Sequence, residues 1–447
     1  MNLTILLLIA LPAVFSLGYF SRQFKHIAVI SAGLTLAMAL YIMVTQLDLS
    51  GYFLVDYLSR YFIMAISSIY LLSVVFGVGY HHKMGESRNM RLHLSLIDLF
   101  ASSMLFSIAV NNFGLLWFGI EATTVSSTLL LVIEKEPLKI EAAWRYVIIV
   151  SAGLTISLLS VLVLYYDFNN LTISYLLSHH PAYPELTAIA AGTALIGYGT
   201  KIGLFPMHTW LPDAHSEAPS EISAMFSGVL LPVAIYALYR VYEVTAAPRI
   251  TDLFIFFGVV TILFSTIMLP SQRFYKRMFA YSTMENMGLI LIGFTIGGIA
   301  LTGALILLVT HAFGKGAAFY SSGNILENYE SKKISDVTGL RQRMPFTSVS
   351  LILSSLAVTG APPFGTFLGE FFILTELYLN GYFLAVALIV VSLLIAFASV
   401  NFHVSRMVFS GHDEPVSESS RSQVAVALSA CAITLLIPFL FLAYGVI

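Results

Sequence analysis

Long apolar segments recur along the whole 447-residue chain. A helix that crosses a bilayer needs about 20 mainly apolar residues, and about fourteen such segments can be marked. Numbered 1 to 14, they span roughly 3–20, 27–46, 60–80, 92–110, 112–133, 146–166, 186–206, 219–243, 252–271, 279–298, 301–325, 346–380, 382–408 and 422–446. Only 10% of the residues are charged, against about 25% in soluble domains, so lipid must be the outer solvent. The sequence predicts an all-α polytopic membrane protein with about 14 transmembrane helices.

The first segment reads as a membrane helix. It has no basic region before it and no clear small-residue cleavage site before Ser21, so a removable signal is not expected. The chain has one cysteine, Cys431. Iron–sulfur clusters and structural zinc sites usually need several cysteines, so we expect no cofactor, redox centre or metal in this chain. The net charge of −2 gives no indication of nucleic-acid binding.

Basic residues divide unevenly between the loops. If the odd-numbered loops share one side, that side holds 17 of the 22 lysines and arginines. The even loops and their helix ends hold Arg60, Arg240 and Arg249, whereas Lys201 and Lys315 fall inside helices. The positive-inside rule then places the odd loops in the cytoplasm and both termini outside. The expected location is therefore the inner (cytoplasmic) membrane.

Two segments are interrupted in a similar way. Segment 7 runs into Pro206 and Pro212, and segment 12 contains the run from Gly360 to Gly365 with two prolines. Broken helices at membrane depth are tolerated where they are buried in protein or line wet cavities. The breaks lie five segments apart, so segments 4–8 and 9–13 would be inverted repeats, an arrangement typical of ion pathways. The predicted divisions are 1–91 (helices 1–3), 92–245 (first repeat), 250–410 (second repeat) and 420–447 (helix 14).

Five ionisable residues lie inside the predicted helices. They are Glu121 in segment 5, Lys201 in segment 7, His311 and Lys315 in segment 11, and Glu370 after the break in segment 12. A charge at the bilayer centre costs about 2.5–3.5 kcal/mol on insertion scales, so such residues need internal partners or water. Either they pair and only stabilise the bundle, or they carry protons. We favour proton transfer, because burial pushes a glutamate and a lysine towards their neutral forms.

Other polar positions are weaker candidates for a role in proton transfer. Asp98, near the start of segment 4, either faces the surface or is buried. Glu285 lies in the first turns of segment 10, where it could simply interact with the helix dipole. A further group at the junction of segments 7 and 8 either lines a cytoplasmic proton uptake path or forms a solvated turn. It comprises His208, Asp213, His215, Glu217 and Glu221.

The run Lys201-Ile-Gly-Leu-Phe-Pro-Met-His208-Thr-Trp-Leu-Pro-Asp-Ala-His215-Ser-Glu-Ala-Pro219 resembles the signature of the antiporter-like subunits of respiratory complex I. Those subunits are similar to subunits of multisubunit sodium/proton antiporters and of membrane-bound hydrogenases. Further matches run through residues 95–410 and include Glu121 after its tryptophan-containing run, the motif 281–288 around Glu285, the segment from His311 to Lys315, and Gly360 through Glu370. The version of the motif around Glu285 is most similar to the hydrogenase-4 and formate hydrogenlyase branch.

The resemblance implies inverted repeats with a proton half-channel in each, joined by a polar axis at mid-membrane. By position, Glu121 and Lys201 resemble the family's paired glutamate and lysine, and Lys315 and Glu370 would continue the axis. His208, His215, Glu285 and His311 would complete the proton pathway. One departure is Pro232, which stands where many relatives carry a connecting lysine. Water, His311 or the face of Glu217 and Glu221 would have to bridge that step, unless the two halves are uncoupled.

The expected function is a proton-translocating, non-catalytic subunit that couples redox energy to ion transport. Its expected partners are other membrane-arm and redox subunits, the lipid bilayer, and protons or sodium ions. One alternative is a subunit of a sodium/proton antiporter without a redox partner. A transporter of small organic solutes is a third class, which the buried charges do not favour. The sequence leaves the choice of ion open.

Overall fold

The structure, a computed structural model, describes residues 2–80, 88–133, 135–411 and 418–443. Its regular elements are almost entirely α-helical. The helices are α1 (Asn2–Phe15), α2 (Phe24–Val44), α3 (Tyr57–Tyr80), α4 (Arg88–Ala109), α5 (Phe113–Val132), α6 (Pro137–Phe168), α7 (Ile173–Leu176), α8 (Pro184–Ile202), α9 (Leu211–Glu217), α10 (Ser220–Met225), α11 (Leu231–Thr245), α12 (Pro248–Met268), α13 (Tyr275–Ile296), α14 (Gly298–Tyr329), α15 (Leu340–Arg343), α16 (Pro345–Val358), α17 (Gly365–Leu379), α18 (Phe383–Phe409) and α19 (Arg421–Ala443). The predicted all-α fold is confirmed.

Eleven helical stretches of the described chain are long and apolar enough to cross a membrane. They coincide with predicted segments 1–6, 8, 9, 11, 13 and 14. Segments 7, 10 and 12 correspond to α8, α13 and the pair α16 and α17, which are shorter or more polar. The count of fourteen spans stays a prediction. The basic residue Lys83 and the end of segment 14 lie outside the described residues.

Both predicted helix breaks are present. Helix α8 ends at Ile202, and Gly203 follows in the left-handed region with φ +83°. Segment 12 is divided into α16 and α17, with Gly360 between them at φ +71°. Glycine adopts this backbone region without the Cβ clash that other residues meet. The chain thus changes direction at two points within apolar segments, and each point lies close to a predicted ionisable residue.

Segment 8 is continuous but irregular at Pro232. A π-helical turn, Phe226–Leu230, joins α10 to α11. Proline has no N–H, so the carbonyl of Gly228, four residues earlier, lacks its usual helical donor. A local π turn is one way in which a helix adapts to such a position, and π turns are frequent at functional sites.

The only strands among the described residues form a small hairpin, Leu49–Ser50 with Leu54–Val55, paired antiparallel. The Asn111 side chain donates to the Gly51 carbonyl at 2.7 Å and to Ser174 Oγ at 2.8 Å. The loops after segments 2, 4 and 6 are thereby held together at one end of the helices. The loop charges had placed these three connections on the same side of the membrane.

The chain forms two compact units. The first comprises Met1–Val74, Met84–Trp210 and Val229–Phe254, and the second comprises Val75–Lys83, Leu211–Gly228 and Ile255–Ile447. In the second unit α14 packs against α13, α16, α17 and α19, and every residue from 303 to 325 is buried. A helix that is apolar and buried all round lies at the core of its bundle. The assignment of 92–245 and 250–410 as inverted repeats stays a prediction.

Candidate functional site

Lys201 is fully buried in the first unit, at the C-terminal end of α8. Its Nζ donates hydrogen bonds to Thr124 Oγ1 at 2.9 Å and to the Tyr146 hydroxyl at 2.5 Å. The ammonium group also lies 4.9 Å from the centre of the Tyr146 ring. All of these partners are uncharged. A lysine held in this way can exist with or without its proton, which is the property that a transfer group needs.

Glu121 lies on α5, one turn before Thr124, and is partly exposed. It is close enough to Lys201 for the two charges to interact. Within the described chain, however, the pair makes no contact within the 4.0 Å of a salt bridge. The predicted glutamate and lysine are therefore neighbours but do not form an ion pair. Lys201 donates its hydrogen bond to the Thr124 hydroxyl and not to the Glu121 carboxylate.

A second layer of contacts fixes the Tyr146 hydroxyl. It hydrogen-bonds Ser127 Oγ at 2.8 Å, and the Tyr146 ring lies 4.7 Å from the Trp210 ring. Trp210 in turn donates to the carbonyl of Thr200, next to Lys201, at 2.8 Å. The residues after the helix break therefore orient the tyrosine that holds the lysine. Sequence reasoning missed Thr124 and Tyr146. The spacing of Thr124 from Glu121, one helical turn, was the only available signal.

Lys315 is also fully buried, at the core of the second unit. Its Nζ donates to the Phe279 carbonyl at 3.0 Å and to Ser282 Oγ at 2.7 Å. Ser282 stands one turn before Glu285 on α13, so this lysine too lies beside a hydroxyl and a carboxylate of one helix. Lys201 and Lys315 are thus both held by neutral oxygen atoms.

Glu285 is 1% exposed, and its Oε2 has no hydrogen-bond partner among the described residues. It interacts electrostatically with both Lys315 and Glu370. Because α13 begins at Tyr275, Glu285 lies in mid-helix, so its placement in the first turns was wrong. The helix dipole acts within the first turn and therefore cannot explain this carboxylate.

Glu370 is buried on the first turns of α17. Its carboxylate lies directly against Gly360, where a Cβ would overlap the carboxylate oxygens. The break in segment 12 thus makes room for this group. Glu285, Lys315 and Glu370, from α13, α14 and α17, form one cluster.

In two histidines of the second unit, a backbone carbonyl determines which ring nitrogen carries a proton. His215 Nδ1 lies 2.9 Å from the Leu211 carbonyl, and His311 Nε2 lies 3.2 Å from the Ser227 carbonyl in the π turn. A carbonyl only accepts, so each of these nitrogens carries a proton. His215 Nε2 and His311 Nδ1 are buried and have no partner in the described chain, so each can accept a proton.

His311 and Lys315 are linked through two backbone carbonyls, of Ser227 and Phe279, and the hydroxyls of Ser227 and Thr283. Ser227 Oγ lies 2.6 Å from Thr283 Oγ1. Thr283 donates to the Phe279 carbonyl at 2.9 Å, which is the same oxygen that Lys315 contacts. Sequence reasoning did not single out Ser227 or Thr283, because serine and threonine are common in membrane helices.

The other predicted positions have different surroundings. His208 is buried in the first unit and stacks on Phe205 with 5.7 Å between ring centres. In the second unit Asp213 pairs with Arg277 at 3.4 Å and Glu217 with Lys332 at 2.7 Å. Glu221 is fully buried. At the junction of segments 7 and 8, Asp213 and Glu217 are therefore held in ion pairs, whereas Glu221 is buried. A role of this group in proton uptake stays a prediction.

Asp98 is buried and not at the surface. It is 2% exposed and accepts a hydrogen bond from the Tyr70 hydroxyl, which also contacts Ser31 Oγ at 3.0 Å. As for metals, no group of three or more histidine, cysteine, aspartate or glutamate side chains in the described ranges is arranged to hold an ion.

Known proteins resemble this chain over most of its length. In sequence, a hydrogenase-4 component F homolog of Methylacidiphilum infernorum is 33% identical over 394 residues, which cover 83% of this chain and 81% of that protein. NADH-quinone oxidoreductase subunit N of Desulforudis audaxviator is 31% identical over 322 residues, covering 69% of this chain and 64% of the relative.

Solved structures share the fold. A chain of the archaeal membrane-bound sulfane sulfur reductase matches with a TM-score of 0.90 at 22% identity, covering 98% of this chain and 95% of the other. A chain of the Mrp complex from Dietzia matches with a TM-score of 0.88 at 19% identity, covering 98% and 94%. Finally, residues 110–396, which contain Glu121, Lys201, Glu285, Lys315 and Glu370, match the family model described as NADH:quinone oxidoreductase/Mrp antiporter, transmembrane. The chain therefore belongs to this family of antiporter-like, multi-pass membrane subunits.

Proposed function

We propose that this chain translocates protons as a subunit of a redox-driven membrane complex of the hydrogenase type. The observation that carries the proposal is the way the two fully buried lysines, Lys201 and Lys315, are held. Lys201 and Lys315 each lie between neutral oxygen atoms, with a carboxylate within electrostatic reach but outside hydrogen-bond contact. A lysine held only for stability would be expected to contact its carboxylate.

The transfer step follows from this geometry. If Glu121 gains negative charge or moves closer, it stabilises the protonated form of Lys201, and if it withdraws, the proton is released. Coulomb energies between charges several ångströms apart in a low-dielectric site reach a few kcal/mol, which is ample for such a change. In the second unit Lys315, with Glu285 and Glu370, would respond in the same way. His208, His215 and His311 would supply and remove protons.

A partner subunit is implied at Glu121. This carboxylate lies on a helix face whose neighbours Leu115, Phe118 and Val125 are 49%, 60% and 61% exposed. A carboxylate left facing lipid would cost about 2.5–3.5 kcal/mol. Another membrane subunit covering this face would remove that cost, and it would also provide the contact through which redox energy reaches Glu121.

The membrane is proposed to be the bacterial inner membrane, with both termini outside, because the basic residues concentrate in the odd loops. The proposed redox partner is a hydrogenase, which the hydrogenase-4 name of the component F homolog supports. Its iron–sulfur and nickel–iron centres would belong to other subunits.

The experiment is purification of the complex through a tag on this chain, followed by reconstitution in vesicles. Copurification of hydrogenase or quinone-reducing subunits, and a pH change in the vesicles when electron donor is added, would support the proposal. Proton movement that needs a sodium gradient and no electron donor would identify a sodium/proton antiporter. Electron transfer without movement of either ion would contradict both.

A further inference from the structure

The turn between α1 and α2 carries an open apolar groove of about 470 Å³. Its walls include Val14, Leu17, Phe20 and Ile27. Val14, Leu17 and Phe20 are 60%, 63% and 80% exposed, so the groove opens outward from the bundle. It lies at the ends of two helices that are long and apolar enough to span the membrane, and outside the segment 110–396 that the family model matches.

Basic residues gather at the end of this groove. In the sequence, Arg22 and Lys25 lie between the lining residues Ser21 and Ile27. From the start of α4, Arg88 Nε donates to the Tyr19 hydroxyl at 3.2 Å, and the Arg91 guanidinium lies 5.4 Å from the centre of the Phe24 ring. We call these four residues, Arg22, Lys25, Arg88 and Arg91, the basic rim.

Among the described residues, no carboxylate pairs with the basic rim. In the described part of the chain none of its four residues forms an ion pair. Basic residues elsewhere in the same unit do, as Arg145 with Glu141 at 2.5 Å and Lys139 with Glu136 at 3.3 Å. Helix α2 also begins here without a side-chain cap, so its first N–H groups add positive potential. The rim is therefore suited to an anion.

We propose that this groove binds an anionic membrane phospholipid, with its phosphate on the basic rim and an acyl chain along the groove. An apolar groove that ends in cations without ion-pair partners among the described residues matches a molecule with an apolar tail and an anionic head. Basic pockets at the cytoplasmic ends of transmembrane helices bind anionic head groups in this way. A free phosphate ion would leave the apolar walls unused.

The test is lipid binding to the purified complex that contains this chain. After delipidation in detergent, it is titrated with phosphatidylglycerol or phosphatidylcholine, and lipid bound to this subunit is counted by native mass spectrometry. Three variants are compared with the wild type. They are the rim variant Arg22→Gln/Lys25→Gln, the charge-matched control Arg341→Gln/Arg406→Gln, and Val14→Trp, which fills the groove and leaves the rim intact.

We expect phosphatidylglycerol to bind more tightly than phosphatidylcholine. Loss of two rim charges should weaken its binding about 30-fold, and the control should change it less than about twofold. Val14→Trp should weaken it too, because the acyl chain loses its place. Wild-type affinity in the rim variant or in Val14→Trp would overturn the proposal. Cross-linking of Leu17 to another subunit in the complex would overturn it as well, since a protein would then cover the groove.

Discussion

At the residue scale, this chain holds buried cations in two different ways. Arg240, which is 1% exposed, forms ion pairs with Asp56 and, at 2.8 Å, with Glu243. Lys201 and Lys315 donate hydrogen bonds only to hydroxyl and carbonyl oxygens. Arg240 therefore has the surroundings of a permanently charged structural group, whereas the lysines have those of groups that change charge.

The Tyr146 hydroxyl is a direct test of how Lys201 is held. Tyr146→Phe removes that hydroxyl and keeps the ring against Trp210, so assembly should be unchanged. Ion translocation should fall about tenfold, because a buried donor that loses its acceptor costs about 1–3 kcal/mol. The control is Tyr165→Phe on the same helix, where the side chain is 51% exposed. Equal rates for the two variants would show that the hydroxyl has no role.

The ion pairs of Arg240 should matter for stability. Arg240→Met leaves Asp56 and Glu243 without their cation and should lower the free energy of unfolding by about 3–5 kcal/mol. Arg145→Met breaks only an exposed pair and should cost less than about 1 kcal/mol. Unfolding of the detergent-solubilised variants measures the difference. Similar values for both would mean that the Arg240 network contributes little.

Asp56 gives this network a pH dependence. Burial alone would raise its pKa, but the Arg240 guanidinium and hydrogen bonds from Ser59 together lower the pKa below its ordinary value of 3.8. The stabilisation is therefore fully present above pH 3.8 and is lost as pH falls through the lower pKa of the folded protein. Wild-type stability measured from pH 6 to about pH 3 should fall more than that of Arg240→Met. Parallel curves would contradict this assignment.

The ionisable residues could be predicted from the sequence because a charge inside an apolar segment stands out. Glu121, Lys201, Lys315 and Glu370 were found in this way. Their partners Thr124 and Tyr146 could not be, because hydroxyl-bearing residues occur throughout these helices and only tertiary packing selects the ones that reach a lysine.

At the element scale, the glycine at the break in segment 12 leaves the space that the Glu370 carboxylate occupies. Gly360→Ala should lower ion translocation strongly, since a Cβ there overlaps the Glu370 carboxylate. Gly381→Ala is the matched control, because Gly381 also has a positive φ, +83°, but has open space around it. Both should cost roughly 1–2 kcal/mol of stability from the strained backbone.

Vesicle transport and unfolding measured together separate the two effects. If Gly381→Ala impairs transport as much as Gly360→Ala, backbone strain and not contact with Glu370 is the cause. If neither does, the position of the break does not control the carboxylate.

Helix positions followed from hydropathy, but helix ends did not. Segment 6 was placed at 146–166, whereas α6 spans Pro137–Phe168. Hydropathy marks the part of a helix that lipid surrounds, and the hydrogen-bonded helix continues into polar residues such as Lys139 and Glu141. For the same reason α13 begins at Tyr275, before the predicted start of segment 10, and Glu285 therefore lies in mid-helix. The breaks were predictable because proline and glycine act locally.

At the scale of the whole molecule, the fourteen-span topology can be tested with fusions. The charge distribution predicts that both termini lie outside. A reporter that is active only outside the cytoplasm should therefore work when fused after Ile447, and a cytoplasmic reporter should fail there. A fusion in the loop near Lys332 should give the reverse pattern. Cytoplasmic activity at Ile447 would mean an odd number of spans or an inverted chain.

The central claim is that Glu121 and Lys201 move protons and do not merely stabilise the bundle. Its most direct test is redox-driven proton movement in vesicles that contain the assembled complex, measured for Glu121→Gln, Lys201→Ala and the exposed control Glu141→Gln. We expect both site variants to assemble at close to the wild-type amount, because each also removes the cost of burying a charge. Proton movement should fall about tenfold or more in each, and the control should match the wild type. Normal coupled proton movement in both site variants, or loss of assembly before any loss of transport, would contradict the account.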